Sequence, residues 1–85
     1  MRIEVLGTGC MKCRKQVDEV MEALRATGVE AEVVKVERID EIMKRGVMLT
    51  PCVLIDGKVV SSGKVLSAKD CAALLTAAGA GGQHA

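Results

Sequence analysis

The stretch from Arg2 to Val36 leaves few folds open, because a short aliphatic run, an amphipathic helical pattern and a second aliphatic run follow one another. In residues 2 to 6, Ile3 and Val5 share one face of an extended segment and Glu4 and Leu6 the other. That is the pattern of a central strand covered on both sides. From Met11 to Thr27 the positions Cys13, Val17, Val20, Met21 and Leu24 recur at i, i+4, i+7, i+8 and i+11, one apolar stripe, while Lys15, Asp18, Glu19, Glu22 and Arg25 take the opposite face. Gly28 is the expected stop. Glu30 to Val36, carrying Val33, Val34 and Val36, reads as a second strand. A helix between two strands predicts a right-handed βαβ crossover with the strands parallel.

The rest of the chain supplies smaller elements. Ile39 to Arg45 reads as a short helix with Ile39, Ile42 and Met43 on one face, ended by Gly46. Val47 to Thr50 is a loop leading to Pro51, the only proline. Cys52–Ile55 and Lys58–Ser61 flank Asp56-Gly57, a strong two-residue hairpin signal. Ser67, with Asp70 three residues on, has the form of an N-cap before a final helix striped by Cys71, Leu74, Leu75 and Ala78 and ended by Gly79. The predicted order is βαβαββα in one domain, residues 1–79, with a glycine-rich tail, residues 80–85, expected to be disordered.

Composition narrows the function. With 85 residues the chain has room for one thin core, and without Phe, Trp or Tyr that core is aliphatic and offers no stacking platform for single-stranded nucleic acid. A net charge of +1 supplies no basic field for nucleic acid or anionic membrane. No apolar run approaches the ~18 residues of a membrane span, and the N-terminus enters a strand pattern directly. A cytoplasmic location is expected, where thiols stay reduced. There, four cysteines point to catalysis or metal binding rather than to a structural disulfide framework.

Cys10 and Cys13 form a CxxC pair between the glycine-flanked turn Gly7-Thr8-Gly9 and the first helical pattern. Cys10 stands at the N-cap or first turn, and Cys13 lies in line with the apolar stripe, so the two are chemically unequal. A thiolate at a helix N-terminus is stabilised by the macrodipole and by free N–H groups, which brings cysteine pKa values down to about 3.5–7.5 from about 8.5. Lys12, Arg14 and Lys15 are unfavourable for a helix start and suit a nearby negative charge; the alternative is a solvated surface. On this reading Cys10 attacks and Cys13 resolves. A second reading stays open. CxxC also holds Cu(I) or Zn(II), and Cys52, beside Pro51, would add a third sulfur to a soft-metal or metalloid carrier site of Cys10, Cys13 and Cys52. Metal-chaperone domains place such a pair similarly but run βαββαβ. Cys52 is otherwise a small buried residue opening a strand, Cys71 a core residue, and His84 a tail residue with no ligand role.

The pieces Gly7-Thr8-Gly9-Cys10-Met11-Lys12-Cys13, Thr50-Pro51 and Ile55-Asp56-Gly57-Lys58-Val59-Val60 through Gly63-Lys64 resemble the small thioredoxin-like, glutaredoxin-sized redox-active disulfide proteins of bacteria and archaea, over residues 1 to about 78. The resemblance implies a minimal thioredoxin-like α/β fold with a four-stranded mixed sheet in order 2-1-3-4, strand 4 antiparallel to strand 3. It implies thiol–disulfide exchange through Cys10 and Cys13 without an organic cofactor or metal, acting on a disulfide-containing protein or small-thiol substrate. Electrons would come from a thioredoxin-reductase-like enzyme or a low-molecular-weight thiol, and the chain is expected to act as a monomer. It further implies a cis Thr50-Pro51 bond, with the Thr50 backbone pairing with the substrate chain; an ordinary trans proline opening an edge strand is the alternative. Thioredoxins also bury a carboxylate in the strand before the CxxC to help deprotonate the resolving thiol. Glu4 stands at the matching place, the alternative being a glutamate reaching water. The sequence departs from the thioredoxin pattern in having Gly9 instead of tryptophan before Cys10, Met11-Lys12 instead of Gly-Pro, and no counterpart of the first strand–helix unit.

Overall fold

β1 (Arg2–Leu6) lies inside the sheet and alternates between two apolar clusters, so its two faces organise everything that packs on it. The computed structural model describes residues 1–9, 11–47 and 49–83, the side chains of residues 78–83 excepted; Cys10, Met48, His84 and Ala85 lie outside the described residues. After β1 come α1 (Met11–Thr27), β2 (Glu32–Val36), α2 (Ile39–Lys44), β3 (Cys52–Ile55), β4 (Lys58–Ser62) and α3 (Ala68–Gln83). The order is the expected βαβαββα. The sheet runs β2-β1-β3-β4, with β1 parallel to β2, antiparallel to β3, and β3 antiparallel to β4.

The pleat divides the core. Ile3 and Val5 join Val53 and Ile55 in meeting Val20 and Ala23 of α1 and Cys71 and Leu75 of α3. Leu6, Val36, Cys52 and Leu54 leave the other face and pack with Ile42 of α2 and with Val47. Because α1 packs against α3 as well as the sheet, its buried positions are Cys13, Gln16, Val20 and Ala23. That stripe is rotated from the expected one: Met21 is exposed, and Val17 and Leu24 are partly buried. Gly28 ends α1 with φ 70° as its N–H reaches the Leu24 carbonyl at 2.9 Å.

α2 has six residues and buries only Ile42, leaving Ile39 and Met43 exposed, since a helix of this length turns barely one side chain fully inward. Ser67 caps α3 as expected, accepting the Asp70 N–H at 3.2 Å, and Glu19 of α1 accepts the Ala68 N–H at 3.1 Å. α3 passes Gly79, the expected stop, and continues to Gln83. A glycine inside a helix costs about 1 kcal/mol relative to alanine and does not by itself end it. Among the described residues no helix is long and apolar enough to cross a membrane.

Candidate functional site

At the C-terminal end of β1 the chain needs a residue without a side chain. A Cβ at Gly7 would overlap Cys13 Sγ, lie 2.9 Å from Cys13 Cβ and stand 3.9 Å from Thr50 Cβ. Gly7 is therefore the floor on which the Cys13 thiol and Thr50 meet. The Gly7 N–H is tied to the Val36 carbonyl at 2.9 Å, which fixes that floor to the sheet. Cys13, the third residue of α1, is 5% exposed, as its place on the apolar stripe requires. Cys10, the expected attacking thiol, lies outside the described residues. The first turn of α1 holds no acidic residue, and Lys12, Arg14 and Lys15 are exposed. This helix start thus carries the positive end of the macrodipole with added cations and favours an anion.

Thr50-Pro51 is a cis peptide bond. Pro51 is fully buried and its carbonyl accepts the Gly63 N–H at 3.0 Å, whereas Thr50 is exposed. Leu49, 61% exposed, and Met11, 86% exposed, add apolar side chains to the segments that flank this end of the sheet. On the β2 side a cleft of about 390 Å³ opens beside Gly9 and Cys13, with Arg14, Lys35 and Glu37 at its rim.

Glu4 is 8% exposed, so little of it meets water. Its carboxylate leaves β1 on the face covered by α2, where Arg45 Nε donates to Oε2 at 2.7 Å; α1, with Cys13, covers the opposite face. Arg45 Nη1 also donates to the Glu41 carbonyl at 2.9 Å and to Glu41 Oε2 at 3.3 Å. The hydrogen bond to Glu4 leads the interactions that push the Arg45 pKa further up. The structure thus brings Cys13 and Thr50 together and sets the Glu4 carboxylate apart from them. Sequence reasoning missed Arg45. A charged residue in a covered strand announces a need for a partner, but nothing in the sequence distinguishes Arg45 from Lys44 as that partner.

Gln16 was missed as well. Fully buried in α1, it accepts the Leu66 N–H at 2.7 Å and donates to the Leu66 carbonyl at 3.0 Å, clamping the loop before α3. Its amide also reaches Cys71 Sγ at 3.9 Å. Burial, with Glu19 and Asp70 adding to it, pushes the Cys71 thiol up to about 11 against that hydrogen bond. Burial likewise pushes the Cys52 thiol up, opposed by a hydrogen bond with Ser62. Among the described residues no three His, Cys, Asp or Glu side chains gather as metal ligands. Cys52 points into the α2-side cluster, away from the face that α1 covers.

Comparison with known proteins gives a consistent picture. Residues 1–76 match the family model described as a thioredoxin domain. The chain is similar to a thioredoxin of Methanothermobacter thermautotrophicus, 30% identical over 76 residues, 89% of this chain and 99% of that protein. It is also similar to a thioredoxin of Methanocaldococcus jannaschii, 38% identical over 68 residues, 80% of this chain and 78% of that protein. Among solved structures it shares its fold with a malaria-parasite thioredoxin-2, at TM-score 0.69 and 18% identity over 89% of this chain and 81% of that one. A second malarial protein gives TM-score 0.67 at 18% identity, covering 89% of this chain and 93% of that one.

Proposed function

The chain belongs to the thioredoxin-domain family of thiol–disulfide oxidoreductases, and from that premise we propose that it reduces disulfides through Cys10 and Cys13. The Cys10 thiolate attacks one sulfur of a substrate disulfide, forming a mixed disulfide and expelling the other sulfur as a thiolate. Cys13, once deprotonated, attacks Cys10 Sγ and releases the second substrate thiolate. The substrate has then gained two electrons and the protein holds a Cys10–Cys13 disulfide. A reductase of the thioredoxin-reductase type or a small thiol returns the electrons, and neither a metal nor an organic cofactor enters the cycle.

The observation that carries this reading is the packing of the Cys13 thiol on Gly7 beside Thr50 at the α1 start. A resolving thiol belongs there, shielded until a neighbouring mixed disulfide forms. The exposed Thr50 backbone is proposed to pair with the substrate chain, with Pro51 buried behind it. Glu4 is proposed to receive the Cys13 proton, through water at the end of the sheet because its carboxylate lies on the α2 face.

The test uses an aromatic disulfide, 5,5′-dithiobis(2-nitrobenzoate), whose released thiolate is coloured. The wild type releases a second equivalent by resolution, and Cys13→Ser stops after the first, holding a stable mixed disulfide. Glu4→Gln slows the second release by roughly a hundredfold. Equal release by wild type and Cys13→Ser contradicts the two-thiol cycle, and an unchanged Glu4→Gln rate removes Glu4 from it.

A further inference from the structure

We propose that the Arg45–Glu4 ion pair is a latch that holds Gly46, Val47, Leu49 and Thr50 in place for a substrate peptide, which makes Arg45 a positioning residue. The inference rests on the reading that Thr50 pairs with the substrate chain. Arg45 is the C-cap of α2, and its N–H reaches the Ile42 carbonyl at 3.2 Å. Beyond it the chain runs through Gly46 and the buried Val47 to the exposed Leu49 and Thr50. One end of this strap is fixed by Pro51 and by β3, which pairs with β1. The other end is held by α2, whose one buried side chain is Ile42.

Arg45 supplies what α2 lacks in apolar area. Its side chain is 26% exposed, and its guanidinium bridges the Glu41 carbonyl at 2.9 Å and Glu4 Oε2 at 2.7 Å, so one planar group ties the last turn of α2 to β1. A rigid fork with fixed donor directions does this where a flexible ammonium has no equivalent geometry. Glu4 lies three residues before Gly7, the glycine that Cys13 and Thr50 flank. The latch therefore ties both ends of the strap to β1, the strand that leads into Gly7. When it opens, Leu49 and Thr50 keep their covalent place beside Pro51 but lose their register against Cys13. A long substrate chain feels that loss, and a small disulfide that needs only the thiols does not.

The experiment compares reduction of insulin, a protein disulfide, with reduction of 5,5′-dithiobis(2-nitrobenzoate) by wild type, Arg45→Met, Arg45→Lys and Glu4→Gln. Amide hydrogen exchange of residues 46–50 is read on the same proteins. Arg45→Met is expected to raise KM for insulin about five- to twentyfold, to leave the first release from the small disulfide within about twofold, and to speed exchange in 46–50 without changing it in β1 or α1. Arg45→Lys recovers part of the insulin KM. The latch is overturned if exchange in 46–50 is unchanged, or if both substrates suffer equally, the mark of a general folding defect. Should Arg45→Met not fold, Glu4→Gln opens the same latch and must give the same exchange pattern, a readout that does not depend on the part Glu4 takes in resolution. A wild type that reduces neither substrate contradicts the proposed function instead, and the exchange measurement still decides the latch.

Discussion

The two faces of the sheet solve one problem with different chemistry. On the α1/α3 face, long helices bury a continuous aliphatic cluster, and the one fully buried polar side chain among the described residues, Gln16, is neutral and satisfied by both backbone groups of Leu66. On the α2 face a six-residue helix contributes one buried side chain, and the polar tie is ionic, Glu4 to Arg45. A neutral clamp inside a large apolar cluster adds to stability, because leaving its partners unsatisfied is costly. An ion pair loses much of its Coulombic gain to desolvation, and what it retains is geometry. On this comparison stability rests mainly on the face of α1 and α3, and the latch proposed for Arg45 belongs to the face of α2.

The largest expected effect tests the neutral side. Gln16→Ala leaves a cavity and strips the Leu66 N–H and carbonyl of partners, and is expected to cost about 2–4 kcal/mol in urea unfolding with an unchanged m value. A cost under about 1 kcal/mol would break the comparison, because the clamp would then be worth no more than an exposed contact.

A smaller effect comes from the thiol beside that clamp. Cys71 has its folded pKa raised to about 11 from 9.0, so above pH 9 the unfolded chain loses its proton first and binds fewer protons than the folded one. Stability from this group is full below pH 9 and is lost as pH rises through about 11. Its size is on the order of 2 kcal/mol. Unfolding of wild type and Cys71→Ala, compared from pH 8 to 11, should show the difference between them shifting by that order in the alkaline half of the range. A difference independent of pH would place the Cys71 thiol in a more solvated setting than the packing indicates.

The sequence showed the element order because each element carries its own local signal: alternation in β1, the helical period from Cys13 to Leu24, Asp56-Gly57 between two apolar strands, and Ser67 before α3. The parallel β1–β2 pairing followed from the helix between them. What it could not show depends on partners far along the chain. Gln16 reads as a polar interruption of the apolar stripe until Leu66, 50 residues away, supplies its two hydrogen bonds. Met21 fits the helical period as well as Ala23 does, and only the packing of α1 against α3 decides between them. At the site, the Thr50-Pro51 step and Cys13 were recognisable from motif and stripe, and Gly7 was marked as a turn, but its role as the floor beneath Cys13 needed coordinates. Glu4 was recognisable as a charge in a covered strand, whereas Arg45 was not, since a C-cap arginine usually faces water.

The measurement closest to the central claim is a thiol–disulfide titration of the metal-free protein against a redox buffer, with Cys13→Ser and Cys52→Ser alongside. The account predicts one reversible two-electron transition of the Cys10–Cys13 pair, at roughly −270 to −180 mV. It should be absent in Cys13→Ser and unchanged in Cys52→Ser, whose thiol lies in the α2-side cluster. A pair that stays reduced throughout that range, or a stoichiometric metal that Cys52→Ser releases, would contradict it.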